Sequence, residues 1–186
     1  VLEERDWIAN RTIIDATGLR SCVITFDGTE GATVDGFVIR NGGDADEFYD
    51  PPGGGIYFNS VSVASVANCT ITANTPLGVV CNFSSPTLAN CTITDNSSRG
   101  GVMCSNFSSP TLANCTITGN TTGGYGHFTY GGWGSGVSCY FSSDPTLINC
   151  TISNNIEGTI SDTSAHGGGG VFCWRSSPTL INCIIT

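Results

Sequence analysis

The chain has 186 residues, with 25 Gly, 10 Cys and only 11% charged side chains, which is poor material for helices and good material for strands and turns. Its formal charge is -9, and its six basic residues, all arginine (Arg5, Arg11, Arg20, Arg40, Arg99 and Arg175), are scattered. That excludes the clustered positive charge that nucleic acid and anionic membrane surfaces require, so neither is expected as a partner.

In chain order, the first recognisable unit is SCVITF around Cys22, followed by DGFVIRN with Phe37 at its centre. A long Gly- and Asp-rich stretch, 41–54, leads to GGGIYF at 53–58, and the tetrapeptide CTIT then begins at Cys69. After a short turn at 74–78 come GVVC at 78–81 and SSPTLANCTITDN at 84–96. After another short turn at 96–100 come GVMC at 101–104 and SSPTLANCTITGN at 108–120. A long stretch at 120–135 precedes GVSC at 136–139 and CTIS at Cys150. A last one at 154–169 precedes GVFC at 170–173 and CIIT at Cys183.

The CTIT anchors lie 22, 24, 35 and 33 residues apart. Within CTIT, strand alternation sends Cys and Ile to one face and the two Thr to the other, and GVxC turns Val and Cys inward in the same way. Units of this length, made only of short strands closed by Gly and Asn turns, predict an all-β parallel β-helix (β-solenoid) in which each unit is one coil. About six coils are expected, with the long loops on one edge. Residues 1–186 form a single β-helix domain in this reading. No apolar run reaches the roughly 20 residues that span a bilayer, so no membrane insertion is expected. The ending at NCIIT suggests a segment of a longer solenoid, open to end-to-end self-association.

GGGIY, SSPTLANCTIT and their variants resemble the right-handed parallel β-helix repeats of the pectate-lyase-like superfamily. They are most similar to NCTI-repeat-rich surface and secreted proteins of bacteria. The resemblance covers roughly residues 12–186. It implies the right-handed fold and a place outside the cell or on its surface. For function it is silent, because that superfamily includes lyases, hydrolases, adhesins and passive stalks. A pectate-lyase-type site would need Ca²⁺-holding Asp and a basic Arg on outward strand positions. Here those positions are Thr, Ser, Val, Met, Phe and Trp, which argues against carrying the activity over.

Aligning the coils gives two inward columns. One is Cys22, Phe58, Cys81, Cys104, Cys139, Cys173, and the other is Phe37, Cys69, Cys91, Cys115, Cys150, Cys183. Three roles are open for these cysteines. They are small buried hydrophobes repeated by duplication, or partners in a disulfide across each coil, or metal ligands. The two Phe in the columns speak for packing. No CxxC pair and no nearby His supports a metal. The asparagines of the N-C-T triplets, Asn68, Asn90, Asn114 and Asn149, read as an internal hydrogen-bonded ladder. On that reading Asn82, Asn96, Asn106 and Asn120 are the glycosylation candidates.

Outward columns Thr70, Thr92, Thr116, Thr151 and Thr72, Thr94, Thr118, Ser153, Thr186 form T-x-T pairs and raise ice binding as a third function, although Thr is also the best polar residue for an exposed strand. The two short turns should form a floor between taller walls roughly 14 Å apart. One wall offers Asp44, Asp46, Glu47, Tyr49 and Asp50, and the other offers Tyr125, His127, Phe128, Tyr130 and Trp133. Rings beside carboxylates suit sugar or protein contact, and the carboxylates are also the acid and base that glycoside cleavage needs. No cofactor is expected beyond Ca²⁺ held loosely on the acidic loop, which lacks EF-hand spacing. The leading expectation is an extracellular, non-catalytic structural or adhesive β-solenoid, such as a surface stalk or filament. The alternative is a polysaccharide-binding or polysaccharide-degrading β-helix acting through the loop-bearing edge.

Overall fold

Each repeat alternates apolar and polar side chains for three or four residues and then meets a residue with a left-handed backbone, so the strands stay short and the chain turns after each. The computed structural model describes residues 11–43, 53–123, 134–158 and 167–186, and their regular structure is all β. After β1 (Thr12–Asp15), coil 1 comprises β2 (Ile24–Asp27), β3 (Ala32–Asp35) and β4 (Phe37–Arg40). Coil 2 comprises β5 (Ile56–Asn59), β6 (Ala64–Ala67) and β7 (Thr70–Thr72). Coil 3 comprises β8 (Val79–Asn82), β9 (Thr87–Ala89) and β10 (Thr92–Thr94). Coil 4 has β11 (Val102–Ser105), β12 (Thr111–Ala113) and β13 (Thr116–Thr118), with β14 (Thr121–Thr122) beyond them. Coil 5 has β15 (Val137–Tyr140), β16 (Thr146–Ile148) and β17 (Thr151–Ser153), with β18 (Ile156–Glu157) beyond them. Coil 6 has β19 (Val171–Trp174), β20 (Thr179–Ile181) and β21 (Ile184–Ile185).

Equivalent strands of successive coils pair in parallel and build three sheets. The GVxC sheet runs from β2 to β19, the PTL sheet from β3 to β20, and the CTIT sheet from β1 to β21, while β14 and β18 form a fourth, two-stranded sheet. Register is kept from coil to coil: Val79 aligns with Val102 and Val102 with Val137, Leu88 with Leu112, and Ile93 with Ile117. This is the parallel β-helix expected from the repeat. Its interior receives Val and Cys from the first sheet, Leu from the second, and Cys and Ile from the third, all buried in coils 3 to 5.

The three corners of each coil are set by left-handed residues. Ser60, Phe83 and Arg175 turn the chain from the GVxC sheet to the PTL sheet, and Asn68, Asn90, Asn114, Asn149 and Asn182 turn it to the CTIT sheet. Asn41, Ala73, Asp95 and Asn154 take it away again. Asn is among the non-glycine residues that tolerate this conformation best, which is why the N of N-C-T stands where Gly36 stands one coil earlier.

The first column differs from expectation at its start. Phe26, not Cys22, pairs in register with Phe58, and the two rings stack with centroids 4.9 Å apart. Strand β2 begins two residues after Cys22, which is left half-buried outside the helix against a cluster of Tyr57, Leu77 and Val80. A compensation is visible in the core. Coils 1 and 2 combine Phe26 with Val34 and Phe58 with Val66, whereas coils 3 to 5 combine Cys with Leu. The smaller Val beside Phe offsets part of the added ring, although Phe37 gives coil 1 a second large side chain against the core.

Candidate functional site

The groove walls expected from Asp44, Asp46, Glu47, Tyr49, Asp50, Tyr125, His127, Phe128, Tyr130 and Trp133 lie outside the described residues. The floor between them is described. In the short turn after coil 2, Thr75 donates its amide to the Gly42 carbonyl. In the turn after coil 3, Ser97 donates to the Asn74 carbonyl and Arg99 to the Pro76 carbonyl. The hydroxyls of Thr75 and Ser97 lie 2.8 Å apart on the exposed side of the floor. On its inner side Leu77 is fully buried. This floor offers hydroxyls and backbone polar groups to a ligand.

Under the floor runs the internal asparagine ladder, and it is not the one expected. Asn74, Asn96 and Asn120 are fully buried. The Asn96 carboxamide oxygen accepts from the Asn74 amide (3.1 Å) and side chain (2.9 Å), and its nitrogen donates to the Ile71 carbonyl (3.1 Å) and to Asn120 (2.9 Å). Asn120 repeats the pattern onto the Ile93 carbonyl and Asn155, which continues to the Ile117 carbonyl. Each amide satisfies backbone groups that would otherwise be orphaned at a buried corner. The conserved phase of the ladder also explains the first Gly of GVxC. A Cβ on Gly78 would stand 2.8 Å from the Asn96 carboxamide nitrogen and 2.7 Å from the Gly101 carbonyl, and one on Gly101 would stand 2.9 Å from the nitrogen of Asn120.

Two glycosylation candidates, Asn96 and Asn120, are therefore corrected. Their nitrogens are bonded inside the core and are not offered to an enzyme. The N-C-T asparagines that were expected inside form an outer ladder instead. Asn68 donates to Asp35 (2.8 Å), Asn90 to Asn68, Asn114 to Asn90, and Asn149 to Asn114, the last three at 3.2 Å. The reason lies in the turns: the left-handed residue after CTIT resets the alternation and sends the next Asn inward, whereas the Asn before Cys is itself the left-handed corner. Asn82 and Asn106 lie half-buried in a third ladder, in which Asn59 donates to Asp27, Asn82 to Asn59 and Asn106 to Asn82. Both outer ladders begin on an aspartate. A carboxylate only accepts, which is all the first rung has to do.

The cysteines stack along the axis. Cys81, Cys104, Cys139 and Cys173 are in register, and so are Cys69, Cys91, Cys115, Cys150 and Cys183 through the strands that follow them. These nine carry thiols. In the second column the thiols donate to carbonyls of the PTL sheet, Cys91 to Ala89 at 3.3 Å and Cys150 to Leu112 at 3.4 Å. A hydrogen bond with Cys150 pulls the Cys115 thiol down, but its bond to Cys91 and its burial outweigh that and push it up to about 12. The Cys104 hydrogen bond, with burial, holds the Cys139 thiol far above the ordinary range, and partial desolvation with the neighbouring Cys139 pushes the exposed Cys173 up to about 11. Such thiols are poor nucleophiles and poor ligands, since both roles need the thiolate. Among the described residues no group of three or more His, Cys, Asp or Glu is placed to hold a metal ion.

Sequence reasoning did not single out the corner between the GVxC and PTL sheets. Ser84 and Ser108 are buried there, and Ser143 with them. The Ser84 amide donates to the Ser108 hydroxyl (3.0 Å), that of Ser108 to Ser143 (3.1 Å), and that of Ser143 to Ser176 (3.1 Å). The neighbouring outward residues are aromatic: Phe83, Phe107 and Phe141 are exposed by 54%, 70% and 41%. Phe141 meets Trp174 edge-on at 4.9 Å, and the Arg175 guanidinium lies 4.6 Å from the Trp174 ring. The F-S pair that follows Cys81, Cys104 and Cys139 by two or three residues was the available signal.

Residues 8–186 match the family model described as a right handed beta helix region. No curated protein and no solved structure matches the chain.

Proposed function

Because the chain belongs to the right-handed β-helix family, we propose that it serves as an extracellular structural or adhesive solenoid segment, without catalysis of its own. The observation that carries this reading is the axial continuity of the rod. Three sheets, a buried Asn ladder, a buried Ser ladder and two thiol columns repeat in register through coils 3 to 5. Each coil thereby presents to the next a copy of the surface it covers, which is the property of a quasi-one-dimensional stalk. The outward columns of Thr, Ser and Asn suit a solvated wall. Burial of Cys69, Cys81, Cys91, Cys104, Cys115, Cys139 and Cys150 is compatible with life outside the cell, because a thiol packed in a core resists the oxidation and exchange that exposed thiolates undergo.

Electron microscopy of negatively stained native material tests this reading. Rods or end-to-end filaments are expected. Isolated compact particles would overturn it, and release of reducing ends from a polysaccharide by the purified protein would overturn the non-catalytic part.

A further inference from the structure

Resting on the extracellular part of that reading, we propose that Asn90, Asn114 and Asn149 are N-glycan acceptors, set at the corner where the chain passes from the PTL sheet to the CTIT sheet.

Each of them opens an N-C-T triplet, the acceptor spelling for sugar transfer to an asparagine amide. The fold separates the residues of the triplet. The Asn is exposed and left-handed (φ 53°, 54° and 53°), the Cys is buried, and the Thr (Thr92, Thr116 or Thr151) is partly exposed on the outer side of the CTIT sheet. The amide and the hydroxyl that define an acceptor therefore face water together, while the residue between them holds the core.

Hydrogen bonding sets these asparagines apart from others with the same spelling. A carboxamide nitrogen carries two protons. Asn96 gives one to Asn120 and one to the Ile71 carbonyl, and Asn120 gives its pair to Asn155 and the Ile93 carbonyl. Asn82 bonds both Asn59 and the Tyr57 hydroxyl. A substituent on any of these nitrogens breaks a bond. Asn90, Asn114 and Asn149 each donate once, to Asn68, Asn90 and Asn114, and the second proton has no acceptor among the described residues.

The free proton is also the one a sugar replaces. Asn90 and Asn114 accept on their oxygen from the next coil and donate to the coil before, so the donated proton lies opposite the oxygen across the C–N bond. A substituted amide is planar and trans, with its carbon substituent on the oxygen's side and its remaining proton opposite. Glycosylation thus leaves the ladder bond in place. In the transfer, the amide nitrogen attacks the anomeric carbon of an oligosaccharide carried on a polyprenyl diphosphate. The C–N bond forms as the C–O bond to the diphosphate breaks, the polyprenyl diphosphate leaves with that electron pair, and the amide gives one proton to a base of the transferase. Glycans are bulky and solubilising, so a row of them on this corner keeps that edge of one rod from packing against another.

The test maps glycans on the chain recovered from the cell surface or medium. Its peptides are treated with peptide N-glycosidase in heavy-oxygen water, which converts a glycosylated Asn to a labelled Asp, and are read by mass spectrometry against an untreated control. Label at one or more of Asn90, Asn114 and Asn149, with none at Asn96 or Asn120, is expected. The variant Thr92→Val, Thr116→Val, Thr151→Val removes the acceptor spelling but keeps every ladder asparagine. It should keep the wild-type circular dichroism and lose both the label and the glycan mass. An unlabelled chain from outside the cell overturns the proposal, as does label confined to other asparagines or retained at these three in the variant. A chain found only inside the cell overturns the extracellular reading instead. The chain secreted from a eukaryotic host is then mapped in the same way, and absence of label there overturns the acceptor assignment by itself.

Discussion

Asparagine does two opposite jobs in this chain, and the difference lies in the residue beside it. Asn96 follows a left-handed Asp95 and points inward, where it makes four hydrogen bonds. Asn90 is itself left-handed and faces outward in a ladder open to water. Removing the first strands buried partners, at a cost of about 1–3 kcal/mol for each unsatisfied group. Removing the second leaves groups that water can satisfy. Asn96→Ala should therefore lower unfolding free energy by about 2–4 kcal/mol, and Asn90→Ala by about 1 kcal/mol or less, measured by urea denaturation. Equal losses would show that burial does not separate the two ladders. The repeated N-C-T spelling drew the inward assignment to the wrong asparagine, because alternation was counted through a corner that interrupts it.

At the scale of the element, a coil is three short strands whose inward residues pack into one shared interior. Coil 2 fills it with Phe58 and Val66, and coil 4 with Cys104 and Leu112. Placing Phe at 104 alone overpacks coil 4 and should cost about 1–3 kcal/mol. Adding Leu112→Val in the same chain removes one methylene from the crowded interior and should recover part of that loss. A double-mutant cycle in denaturant reads the coupling directly, and strict additivity would refute the volume exchange. The two Phe in otherwise thiol columns were legible in the sequence as a sign that the slot is a packing slot. That Phe26 rather than Cys22 begins the column was not, since SCVITF can be aligned two ways until strand pairing is known.

For the whole molecule, the titrating groups define a window of stability. The thiols of Cys115 and Cys173 are raised to about 12 and about 11, above the roughly 8.5 of a free cysteine. Between those values the unfolded chain has lost protons that the folded chain keeps, so their contribution is complete below about pH 8.5 and declines as pH rises through the folded values. At the other end, Thr17, Asn41 and Arg40 hydrogen-bond Asp15 and hold its carboxyl well below the usual range, and Ser62 does the same for Glu30. Stability from these groups is present above the ordinary carboxylate range and falls as pH drops through the lowered values. Thermal melts should thus show a plateau near neutrality, with a marked fall above about pH 8.5 that alanine at Cys115 reduces. A melting temperature flat to pH 11 would contradict the raised titrations of Cys115 and Cys173.

The sequence by itself determined the coil: alternation in GVxC and CTIT names the inward residues, and their in-phase return dictates that equivalent strands stack in parallel. Tertiary structure decided what happens where alternation stops. At the corners a single left-handed residue reverses the face of everything after it, so which Asn is buried follows only from the folded backbone. So does the buried column of Ser84, Ser108 and Ser143, because stacking brings together residues separated by a full turn of the helix.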